Sequence, residues 1–287
     1  MTYQETKPGL SAEIRGPIQK QGAIGVFDSG VGGLTVLKEI ISLLPNENIV
    51  YLGDTARVPY GTKPRRTVVQ YALEDARFLL ERKAKALVVA CNTICAQAMN
   101  ELREEFNLPI IDVIGPATRA AVEQTRKKAI GVIGTEGTIN SGAYYLAIKQ
   151  LDNMIEIYSE ACPLFVPIVE EGLLEGEIVQ KIVDMYLSEL AKKQIDVLIL
   201  GCTHYPLLRE PISKCMGPEI TLLNPAMAVA SELKQRLSEN NLLSDEAGGY
   251  RKFFFTSQPQ KAERIIQYLD IRVDTIEVTD FQSQRPC

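Results

Sequence analysis

The sequence predicts an α/β protein of two similar α/β domains with mostly parallel sheets. Short β-branched runs alternate along the chain with longer amphipathic stretches, the pattern of strands buried on both faces and joined by helices. Two pairs of segments also look alike. AIGVFDSG at 23–30 resembles AIGVIGTEGT at 129–138, and ALVVACNT at 86–93 resembles VLILGCTH at 197–204.

Taken in order, residues 1–22 are rich in Gly, Pro, Gln and charge and read as a flexible arm. Apolar runs predict strands at 24–28, 48–52, 86–90, 109–114, 129–133, 155–159, 196–200 and 220–223. Helical periodicity fills 33–43, 65–82, 94–106, 116–127, 138–150, 176–193, 206–215 and 226–239. The tail reads as strand KFFFT, helix PQKAERIIQYLD and strand DTIEV. With a seam near Gly115-Pro116 and a return near Asn224-Pro225, 23–114 plus 226–287 form a first domain and 115–225 a second.

Composition narrows the function. The chain has 287 residues, with 31 Lys+Arg against 36 Asp+Glu for a net charge of −5. A mildly acidic chain lacks the footprint of a nucleic-acid or membrane-surface binder. It has 1 His and 6 Cys. No site of several histidines can form within one chain, and no Cys-x-x-Cys pair signals a zinc ribbon or redox motif. No apolar run is long enough to cross a bilayer, and the N-terminal segment is polar. A cytoplasmic protein with reduced thiols is expected.

Ligands of open α/β sheets bind outside the carboxyl ends of the strands, and four loops stand there. Asp28-Ser29-Gly30-Val31-Gly32-Gly33 is either a tight strand–helix turn with Ser29 near the cap or a cradle for a carboxylate or phosphate. It fits neither the Rossmann nor the Walker pattern. In the long loop 53–61, Arg57 and Tyr60 are candidate carboxylate partners; otherwise Arg57 is solvated and Tyr60 packs. Cys91-Asn92-Thr93 and Cys202-Thr203-His204 end similar strands, and each precedes a helix start, where a thiol's pKa is lowered. His204 is open to three readings: a metal ligand, the base of a Cys–His pair, or a helper of one thiol.

Two matched thiols suit one chemistry well. Inverting a stereocentre means removing a proton from one face and returning one to the other. A thiolate and a thiol on opposite sides accomplish this in either direction, exchanging roles at each turnover. An ordinary cysteine pKa near 8.5 leaves both forms reachable. The developing carbanion then needs donors, available in backbone N–H groups, Asn92, Thr93, Thr203 and His204. No lysine sits in a recognisable pyridoxal-phosphate motif.

The motifs GVFDSGVGGLTV, GDTARVPYG, VVACNT, ACPLFVPIVE and LILGCTHYPLL stand in the order in which glutamate racemases carry them. From about Ala23 to Thr221, and more weakly into the tail, the chain resembles that family of the aspartate/glutamate racemase superfamily. The resemblance implies two α/β domains with the active site in the cleft between them, no cofactor or metal, a homodimer, and supply of D-glutamate for bacterial peptidoglycan. It implies Cys91 and Cys202 as the acid/bases. It assigns Asp28, Ser29, Tyr60, Gly61, Asn92, Thr93, Thr203 and His204 to the substrate. Val58 and Asn224-Pro225-Ala226 depart from the family pattern without touching the thiols. The rivals are an aspartate racemase, a hydrolase needing one thiol, and a small-anion or nucleotide-binding module indifferent to both.

Overall fold

The computed structural model describes residues 18–257 and 259–280. Among the described residues ten strands form two sheets, and every strand pairing is parallel. The first sheet, in the order β10-β9-β2-β1-β3-β4, contains β1 (Ala23–Asp28), β2 (Ile49–Gly53), β3 (Ala84–Val89), β4 (Ile110–Asp112), β9 (Arg251–Phe255) and β10 (Thr275–Val278). The second, β6-β5-β7-β8, contains β5 (Ala129–Gly134), β6 (Glu156–Ala161), β7 (Val197–Gly201) and β8 (Thr221–Leu223). Central strands β1, β2, β5 and β7 are buried along their whole length, because helices cover both faces. Each buried Val, Leu or Ile contributes about 1.5–3 kcal/mol relative to exposure.

Strand order reverses between β1 and β3 in the first sheet and between β5 and β7 in the second. Such reversals leave a crevice beyond the carboxyl ends, where ligands bind. Helix α1 (Leu34–Leu43) follows β1, α2 (Arg65–Glu81) follows β2, and α3 (Asn92–Glu105) follows β3. Helix α4 (Ile114–Gln124) leads into the second sheet, and α10 (Ala226–Glu239) returns to pack on α1. No helix among the described residues is long and apolar enough to cross a membrane.

Several elements differ from the sequence reading. The helix expected over 138–150 is two, α5 (Glu136–Asn140) and α6 (Ala143–Leu151), broken at Gly142 with φ of 68°. The strand expected over 109–114 stops at Asp112, whose carboxylate accepts from the Gly115 N–H at 2.7 Å and starts α4. Helix α7 (Phe165–Glu170) had no periodic signal, being short and buried on most sides. Helix α8 spans Glu177–Ala191. A 3₁₀ turn at Tyr205–Leu208 precedes α9 (Arg209–Met216), and α11 spans Pro259–Tyr268. Of the arm expected over 1–22, residues 1–17 lie outside the described residues. Its last residues are fastened rather than free: Lys85 Nζ donates to the Lys20 carbonyl at 2.7 Å and Asn48 Nδ2 to that of Gln21 at 3.0 Å.

Candidate active site

The loops after β1, β2, β3, β5 and β7 meet around one cavity between the sheets. Its volume is about 20 Å³, room for a single water. Cys91 and Ser29 reach it from the first sheet, Cys202 and Thr135 from the second. A second cavity of about 420 Å³ adjoins it, sharing Val58, Pro59 and Val166 with the first. The smaller cavity as it stands has no room for an amino acid.

Cys91 stands at the start of α3, and its thiol donates to Ser29 Oγ at 3.5 Å. A helix N-terminus predicts a lowered thiol pKa. Burial overrides it here, with Asp28's charge adding to the effect, and pushes Cys91 up to about 12. Cys202 lies 3.8 Å from His204 Nδ1, and His204 Nε2 is 2.8 Å from Glu170 Oε1. Burial alone disfavours a cationic imidazole. Hydrogen bonds to Cys202 and Glu170, and their charges, outweigh it and hold His204 well above the ordinary range. Glu170 is correspondingly below its usual range, burial being outweighed by the bond to His204. The two thiols thus differ: Cys202 has a cation beside it, whereas Cys91 is a neutral thiol at neutral pH.

The other expected substrate residues divide into those that face the cavity and those that support it. Ser29, Gly61, Asn92, Thr93, Thr203 and His204 line it. Asp28 does not. It accepts from the Gly30 N–H at 3.0 Å and from Thr203 Oγ1 at 3.2 Å, one layer behind. Thr93 Oγ1 meets Thr135 Oγ1 at 3.0 Å across the cleft. Tyr60 reaches the cavity, but its hydroxyl donates to Asp54. Arg57 is turned away and held by Asp54, Glu74 and, at 3.0 Å, Asp75, with its guanidinium 4.0 Å from the centre of the Tyr71 ring. Neither expected alternative for Arg57, substrate partner or solvated charge, describes it.

The glycine-rich loop departs from the first of its readings and puts Ser29 on the cavity instead. Ser29 does not cap α1. A Cβ on Gly32 would lie 2.4 Å from Thr203 Oγ1 and 2.5 Å from His204 Nδ1. On Gly61 it would lie 2.5 Å from Thr135 Cβ. These glycines let first-sheet backbone lie directly against second-sheet loops. Sequence reasoning missed Glu170 and Thr135. Thr135 sits at the end of the AIGV repeat, where the match with the Asp28 loop marked a site-forming position. Glu170 closes the ACPLFVPIVE motif but carries no local signal of contact with His204. Among the described residues, no group of three or more His, Cys, Asp or Glu is placed to hold a metal ion.

Two parallel-sheet lobes each bring a thiol to one cavity, and the chain belongs to the Asp/Glu/hydantoin racemase family, whose model matches residues 24–233. Curated relatives place it among the glutamate racemases. It is 47% identical to glutamate racemase of Aquifex aeolicus over 246 residues, 86% of this chain and 93% of that one. With the Geobacter metallireducens glutamate racemase it shares 49% over 233 residues, 80% and 86% of the two chains. A solved glutamate racemase from Bacillus anthracis has a TM-score of 0.88 at 42% identity, covering 92% of this chain and 99% of that one. One from Francisella tularensis, in complex with D-glutamate, has a TM-score of 0.86 at 40% identity, covering 92% and 100%. The chain is an amino-acid racemase.

Proposed function

We propose that this enzyme interconverts L- and D-glutamate without a cofactor, Cys91 and Cys202 serving as the two acid/base groups. The observation that carries the reading is the pair of thiols, one from each lobe, lining a single cavity. The thiolate form of one removes the α-proton from one face, and the thiol of the other delivers a proton to the opposite face. The reverse reaction starts from the exchanged protonation state. His204, hydrogen-bonded to Glu170, supports negative charge on Cys202. Asn92, Thr93, Thr203, Ser29 and the loop at Tyr60-Gly61 supply donors for the carboxylates. Asp28 positions Thr203 and the Gly30 backbone. The resemblance extends the proposal to a cytoplasmic homodimer whose D-glutamate supplies peptidoglycan synthesis.

Incubation with L-glutamate in D₂O, with no added cofactor, tests this directly. Loss of optical rotation with deuterium entering the α-carbon is expected. Racemisation of aspartate alone would move the enzyme to the neighbouring specificity. Silence with both amino acids would sink the racemase reading.

Glu170→Gln tests the second thiol's partner. Cys202 on one nitrogen and Glu170 on the other hold His204 cationic, so a neutral amide in place of Glu170 makes it lose its proton at lower pH. The alkaline limb of kcat/KM is expected to move down by roughly one pH unit. A limb that stays in place would remove His204 from the proposed support of Cys202.

A further inference from the structure

Tyr144 on α6 is buried and appears in none of the motifs that pointed to the thiols. Its hydroxyl crosses the cleft to donate to Asn92 Oδ1 at 2.7 Å. Its ring lies over Gly201, where a Cβ would come within 3.1 Å of the ring edge. Asn92 follows Cys91, and Gly201 precedes Cys202. One rigid side chain therefore touches a neighbour of each thiol.

The hydrogen bond also fixes which way the Asn92 amide faces. The buried Tyr144 O–H donates, and Oδ1 accepts that hydrogen bond. Asn92 lines the cavity, and its N–H₂ has no acceptor among the described residues. Burial keeps the phenol well above its ordinary pKa, so it remains a donor across the working range. Resting on the racemase reading above, we infer that Tyr144 is a positioning residue: it turns the Asn92 amide so that N–H₂ meets the substrate carboxylate, and its ring gauges the distance between the two thiol loops.

The test is a double-mutant cycle on the full-length enzyme with glutamate, using Tyr144→Phe, Asn92→Ala and both together. Phe keeps the ring against Gly201 and removes only the hydroxyl. Freed from it, the amide can turn its oxygen toward the carboxylate. Tyr144→Phe is expected to raise KM about tenfold and to change kcat less than about threefold, since the lost contact is made in ground and transition states alike. In the Asn92→Ala background the same change is expected to leave KM unaltered. A KM within twofold of wild type for Tyr144→Phe would overturn the inference. So would an equal loss in both backgrounds, which marks a purely structural role that a fall in Tm would accompany. A wild-type enzyme that does not racemise glutamate would overturn the proposed function and this inference with it, whereas normal wild-type turnover isolates failure to Tyr144.

Discussion

Cys91→Ser and Cys202→Ser are each expected to lower glutamate racemisation by at least about 10³-fold, within the span that one positioned proton-transfer group supplies. A serine hydroxyl fits the space of the thiol but does not ionise near neutral pH. The single variants carry a second signature. A thiolate facing only one side can still remove an α-proton, exchange it with solvent and return deuterium to the same face. Each variant is therefore expected to wash deuterium into one enantiomer without inverting it, and the two variants into opposite enantiomers. Mass spectrometry and chiral chromatography of the same D₂O reaction read both. Racemisation by either variant within tenfold of wild type would end the two-thiol mechanism. Loss on replacing only one would favour the single-thiol hydrolase reading.

Arg57→Met is expected to produce the largest loss of stability. Asp54 and Asp75 are fully buried around the guanidinium, and Glu74 is mostly so. Removing the cation leaves those carboxylates uncompensated, a change that costs about 3–5 kcal/mol for a buried pair. The melting temperature is expected to fall by on the order of 10 °C. Arg57→Lys should recover only part of it, because an ammonium cannot serve several carboxylates through a planar fork. A fall of less than about 2 °C for Arg57→Met, measured by calorimetry, would show that the carboxylates find other partners. The cluster also steadies the loop that presents Tyr60 and Gly61 to the cavity, since Thr256 Oγ1 donates to Asp54 at 2.9 Å and accepts from the Ala56 N–H at 2.8 Å.

The sheets were legible because parallel strands are buried on both faces and so read as apolar runs, as AIGVFD and VLILG do. The thiols were legible because each ends such a run at the edge where ligands bind. What stayed hidden depends on contacts distant in sequence. Glu170 meets His204 across 34 residues, and Tyr144 meets Asn92 across 52. No local pattern reports such pairings. Arg57 was misread because a lone Arg in a loop looks the same whether it faces substrate or two buried aspartates. The contacts of the glycine-rich loop stayed hidden for a similar reason: glycine signals a close approach without naming what approaches. The lowered pKa expected of Cys91 failed because a helix terminus is visible in sequence and the depth of burial is not.

The seam around the thiols is wettable. Thr93 against Thr135, Tyr144 against Asn92, Thr35 Oγ1 on the Thr203 carbonyl at 3.0 Å, and at the mouth Lys261 on Glu171 at 3.0 Å are all contacts that water can replace. When the lobes separate, each hydroxyl or charge exchanges a protein partner for a solvent one, at a net change of about 1 kcal/mol or less apiece. A greasy seam of the same extent would have to expose apolar surface on every opening. These polar contacts therefore add little to the cost of parting the lobes. Under the proposed racemisation, that much of a substrate's binding energy stays available for holding the carbanion rather than being consumed in breaking the seam's polar contacts.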